Sequence, residues 1–119
     1  MQTLDQQIAK CAHKAATQAQ FANSDFRNAT KKAATRVRTS GIGVTVAFCI
    51  GKKDKHEEVA VAWCKALTAL GEKGCANPET LIATYREADF SQVRRLTELS
   101  ERVLEWMAKW ADAYKLEKD

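Results

Sequence analysis

Thr39-Ser40-Gly41-Ile42-Gly43-Val44-Thr45-Val46-Ala47-Phe48 is the stretch on which the fold of this chain turns. By pattern it fits a strand: Ile42, Val44, Val46, Phe48 and Ile50 alternate, several of them are β-branched, and Gly41 and Gly51 bound the run. No other run in the chain alternates over a comparable length, and a solitary strand leaves its backbone N–H and C=O groups without partners. The helical reading is therefore the stronger one. Coiled, the segment puts Ile42, Val46 and Ile50 on one row and Phe48 on another side, apolar nearly all round, which predicts a central buried helix. The β-branched residues cost a helix only tenths of a kcal/mol each, and burying a large apolar side chain returns about 1.5 to 3 kcal/mol.

Upstream, Leu4, Ile8, Cys11, Ala15, Ala19, Ala22 and Phe26 recur every three or four residues, predicting a first helix from about Leu4 to Asn23 with a stripe of small side chains. Ser24-Asp25 offers a cap for a second helix whose apolar face is Ala29, Ala33 and Val37 and whose outer face carries Lys31, Lys32, Arg36 and Arg38. Ser40-Gly41 ends it. Downstream, the charged turn 51–56 leads to a helix from about Glu57 to Leu70 with Val59, Ala62, Trp63, Ala66, Leu67 and Leu70 inward. Asn77-Pro78 has the cap residue and first-turn proline of a short helix ending near Ala88. Asp89 or Ser91 then opens the longest helix, to about Lys115, striped by Leu96, Leu99, Val103, Trp106, Trp110 and Ala113. The expectation is one all-α domain spanning 1–119, a compact bundle of about six helices around a single core.

Composition narrows the function classes. Met1 is followed by no apolar signal region and no run of about 18 apolar residues exists, so the expected location is the cytoplasm, with no membrane span and with Cys11, Cys49, Cys64 and Cys75 as free thiols. Three of these thiols are expected in the core, with Cys75 in a loop. The cysteines and His13 and His56 show no metal-ligand spacing, and Gly41-Ile42-Gly43 lacks the third glycine and the preceding strand of a dinucleotide loop, so neither a metal nor a cofactor is expected. The acidic pairs Glu57-Glu58, Glu87-Asp89 and Glu98-Glu101 fall on exposed faces or helix starts, and neither histidine has a nucleophile at local spacing. No catalytic residue is assigned.

The net charge of +4 is unevenly placed: residues 1–55 hold ten Lys and Arg against three Asp, a net of +7, leaving −3 for residues 56–119. Lys31, Lys32, Arg36, Arg38, Lys52 and Lys53, with Lys55, span a helix face and the turn after the central helix, a surface suited to a polyanion. With no aromatic residue interleaved in sequence, such contacts position a phosphate backbone and do not read bases.

Two blocks carry a family resemblance: Ser40-Gly41-Ile42-Gly43-Val44-Thr45-Val46-Ala47-Phe48, and Arg94-Arg95-Leu96-Thr97 followed by Val103-Leu104, Trp106 and Lys109-Trp110-Ala111. In these blocks and in its helix order the chain resembles the small subunit of the Cmr (type III-B) CRISPR effector complex. The resemblance implies an all-helical, non-catalytic subunit that stacks with copies of itself and joins other Cmr subunits along the guide RNA, helping to hold the target single-stranded RNA. Lys31, Lys32, Arg36, Arg38, Lys52, Lys53, Arg94 and Arg95 are the candidate phosphate contacts. Two other readings stand beside it. One is a protein-only adaptor working through the Trp106, Trp110 and Tyr114 end; the other is a helix-turn-helix DNA binder over 24–51, which the apolar second helix fits poorly.

Overall fold

In a computed structural model, which describes residues 1–118, the chain forms six helices: α1 (Leu4–Ala15), α2 (Gln18–Phe21), α3 (Ser24–Lys52), α4 (Asp54–Ala69), α5 (Pro78–Glu87) and α6 (Phe90–Lys118). Among the described residues there is no strand. The segment 42–50 is helical, as the lack of a partner strand requires. The chain is nevertheless divided differently from the sequence expectation.

The first expected helix is two. Helix α1 starts on a capping box in which the Thr3 hydroxyl accepts from the Gln6 N–H and the Gln6 side chain accepts from the Thr3 N–H, and it stops at Ala16, whose backbone is extended. Thr17 then opens the single turn of α2, its N–H donating to the Gln20 side chain at 3.2 Å. The break shifts the buried stripe to Ile8, Ala12, Ala16 and Phe21, while Leu4, Ala19 and Ala22 are exposed. A stripe extrapolated along one continuous helix loses its register once the helix restarts on a new axis. Phe21, set inward by the turn, packs edge-on against Phe26 with ring centroids 6.3 Å apart.

The second and central expected helices are the two arms of α3, which meet at Gly41. The cap is Asn23, whose Oδ1 accepts from the Phe26 N–H at 3.0 Å, not Ser24 or Asp25. Gly41 has φ 86° and ψ 172°, a non-helical conformation that side-chain-bearing residues avoid, so the helical geometry is interrupted there at a kink, where Ser40-Gly41 was expected to end the second helix. The second arm is not buried all round: Ile42, Thr45, Val46 and Cys49 face inward, Phe48 and Ile50 are half-buried, and Val44 and Ala47 face solvent. Helix α5 crosses this arm so closely that a Cβ on Gly43 would lie 2.5 Å from the Tyr85 ring.

Helix α4 begins three residues earlier than expected, at Asp54, because α3 runs through Gly51 and the turn falls on Lys53 (φ 62°) and Asp54 (φ 61°). Helices α5 and α6 start where the sequence signals place them. Asn77 Oδ1 accepts from the Thr80 N–H at 2.8 Å, and Asp89 and Gln92 exchange backbone and side-chain hydrogen bonds at 2.9 and 3.0 Å.

The core lies where α3, α4 and α6 meet, closed on one side by α1 and on another by α5. Trp63 is fully buried at its centre, and its indole N–H donates to Ser100 Oγ at 2.9 Å, so the one polar atom of the ring is satisfied across α4 and α6. Trp106 and Trp110 are half-buried at the core's edge. They reach α1 of their own chain: Trp106 Nε1 donates to Asp5 Oδ1 at 3.1 Å and Trp110 Nε1 to the Ala9 carbonyl at 3.0 Å. Cys75 lies in the loop between α4 and α5, as expected, but is buried there, as Cys49 and Cys64 are in the core, while Cys11, expected in the core, is half-buried. No described helix is long and apolar enough to cross a membrane.

Candidate nucleic-acid interface

The first arm of α3 buries Phe26, Ala29, Thr30, Ala33, Ala34 and Val37. With about 100° per residue, that face leaves Lys31, Lys32, Thr35 and Thr39 pointing out, and puts Arg36 and Arg38, about 200° apart, on opposite shoulders. The charge dense in sequence is therefore divided in space.

On one shoulder, Arg36 is half-buried and its guanidinium carbon lies 3.8 Å from the centroid of the Phe48 ring. That is a carbon–carbon contact distance, so the guanidinium lies over the ring face in a cation–π contact. His56, from α4, meets the same ring edge-on, with centroids 5.3 Å apart and planes at 84°. Burial lowers the His56 pKa, and the charges of Lys32, Lys52 and Arg36 lower it further, with Asp54 opposing them. Three cations from both arms of α3 thus act on one imidazole. Beside them, on the outer face of the first arm next to the kink, lies an open depression of about 450 Å³ lined by Lys31, Lys32, Thr35, Arg36, Thr39 and Ser40.

The other candidates are placed as follows. Lys31 Nζ pairs with Asp112 at 2.6 Å, which partly neutralises it, whereas Lys32, Arg36, Arg38, Lys52 and Lys53 make no salt bridge among the described residues. Lys55 is paired with Glu58 at 2.9 Å, a contact that raises its pKa. Arg94 and Arg95 bond Glu98 and Glu72. They lie 18 and 17 residues, about 26 to 27 Å of helix, from the Asp112 that meets Lys31. The expected set is one cluster on α3 plus a separate pair near the start of α6.

Reading the sequence missed Phe48 and His56 as members of the surface. The expectation that no aromatic residue is interleaved does not hold: Phe48 stands between Arg38 and Lys52 in sequence, and in space its ring lies under Arg36 and against His56. The one available signal was the position of Phe48 off the row formed by Ile42, Val46 and Ile50.

Comparison with known proteins follows the same lines. A family profile described as "CRISPR-associated protein (Cas_Cmr5)" matches residues 2–114. Among solved structures, a crystal structure of a CRISPR-associated Cmr5 family protein from Thermus thermophilus superposes with a TM-score of 0.78 at 24% identity, covering 95% of this chain and 97% of that one, and so shares the fold. No curated protein matches the chain.

Proposed function

This chain belongs to the Cmr5 family of CRISPR-associated proteins, and from that premise we propose that it is a non-catalytic small subunit of a type III-B (Cmr) ribonucleoprotein effector in cytoplasmic antiviral defence. It associates with other Cmr subunits, stacks with its own copies along the guide RNA, and holds target single-stranded RNA by its phosphates. The observation that carries the RNA-holding role is the outer face of the first arm of α3, where Lys31, Lys32 and Arg36 line one open depression and neither Lys32 nor Arg36 has an acidic partner among the described residues. A polyanion relieves the mutual repulsion of such unpaired cations. Arg94 and Arg95, carrying their own carboxylates, form a second and weaker contact.

Stacking draws support from the charge asymmetry between the two halves of the chain and from exposed apolar side chains, Val44 at 55% and Phe90 at 81%. Two different complementary patches are what a head-to-tail arrangement needs. The protein-only adaptor reading has less to draw on, since Trp106 and Trp110 are half-buried and their N–H groups are engaged by α1.

Fluorescence anisotropy with labelled single-stranded RNA tests the RNA-holding role. Binding is expected to be indifferent to sequence and to weaken with salt at about 0.7 log units per contacted phosphate per log unit of salt. The double variant Lys31→Gln, Lys32→Gln changes two exposed positions of that depression and should lower the slope by about 1.4. An unchanged affinity and slope would place the RNA elsewhere.

A further inference from the structure

We infer that the groove at the Gly41 bend seats one unpaired nucleobase, stacked on the guanidinium of Arg36, with phosphates on either side held by Lys31 and Lys32. This deepens the RNA-holding reading and rests on it. Arg36 has two roles in the geometry: it lines the groove, and it lies against Phe48 at 3.8 Å. One face of a planar guanidinium on an aromatic ring leaves the other face as a flat, weakly hydrated surface, and such planes are among those on which unstacked RNA bases lie. Phe48 is itself wedged by the edge-on imidazole of His56, so the plane is held before any ligand arrives.

The rest of the groove has the chemistry a nucleotide needs. It is an open surface depression of about 450 Å³, so a base lying on Arg36 would keep its edges near solvent. The Thr39 hydroxyl donates to the Thr35 carbonyl at 3.1 Å, which fixes its proton inward and leaves its oxygen lone pairs as acceptors. With the hydroxyls of Thr35 and Ser40 it offers hydrogen bonds to a ribose or a base edge. Since every base has a π-face, such a seat accepts any base and favours none strongly.

The decisive comparison uses the unaltered chain with two single strands of equal length and charge, one an ordinary RNA and the other carrying abasic sites throughout. The seat predicts that the abasic strand binds about tenfold more weakly with the same salt slope. Arg36→Lys keeps the charge but loses the plane; it should weaken ordinary RNA about tenfold and leave the abasic strand unaffected. Equal affinity of the unaltered chain for both strands overturns the seat and leaves phosphate holding intact. If the unaltered chain binds neither strand, the seat and the RNA-holding reading both fall.

Discussion

Replacing Gly43 by alanine tests whether α5 is held against the second arm of α3 by the missing side chain. A Cβ at this position would lie 2.5 Å from Tyr85 Cε2, 2.9 Å from Cζ and 3.0 Å from Cδ2, where ordinary contact begins at 3.4 Å. The ring must therefore retreat by close to 1 Å, and it is half-buried on a core whose neighbours are already in contact. Overpacking of this kind costs about 1 to 3 kcal/mol, against a gain of about 1 kcal/mol from exchanging glycine for alanine within a helix. The net expectation is a loss of about 1 kcal/mol, or roughly 4 °C in Tm for a chain of this size. In a Tyr85→Ala background the ring is gone and only the helix gain remains, so the same substitution should raise Tm by roughly 4 °C. Thermal and urea unfolding of the four proteins, followed by circular dichroism, measures the cycle. A coupling of about 2 kcal/mol is expected, well outside the roughly 0.3 to 0.5 kcal/mol within which independent sites add. If Gly43→Ala stabilises both backgrounds equally, the close approach is not what the glycine serves.

The remaining expectations concern titrating groups. Because the His56 pKa is lowered on folding, the unfolded chain binds its proton first, and stability should fall as pH drops below about 6.5. His56→Gln should flatten that part of the profile in urea titrations, and an identical slope would mean that the imidazole is not under the cations. Asp5 has the opposite sign: hydrogen bonds from Trp106 first and Arg102 second lower its carboxyl pKa. Its contribution is present above about pH 4 and is lost as pH falls through the folded value. Tryptophan emission should report that step, and Asp5→Asn should abolish it. Burial pushes the Cys64 thiol up to about 12 and the Cys49 thiol up to about 11, and raises that of buried Cys75. At neutral pH an aromatic disulfide reagent should therefore modify only Cys11 in the folded chain and reach the other three after denaturation, as mass spectrometry of the products would show.

Apart from the single turn of α2, each helix existed in the sequence as a periodic stripe, and three helix ends were legible as residue types: Asn77-Pro78 for α5, Asp89 for α6, and the glycine at the kink of α3. The break between α1 and α2 was legible too, since Thr17-Gln18-Ala19-Gln20 has the spacing of a capping box, but the alanine stripe running past it was the louder signal. The site was only half present. Lys31, Lys32, Arg36, Arg38, Lys52 and Lys53 announce a basic surface by density alone. Nothing local says that Arg36 and Arg38 diverge, that Lys31 meets Asp112, or that Arg94 and Arg95 lie at the far end of α6.

By itself, then, the sequence determined that 42–50 is helical, because a lone strand has no partner for its backbone, and that α3 carries excess positive charge. Only the tertiary structure decided that Arg36 rests on Phe48 with His56 at its edge, and that Val44 and Ala47 stay in water. Periodicity orders side chains about one helix axis at a time. The bend at Gly41 and the packing of α4, α5 and α6 set how those axes cross, and so which faces meet.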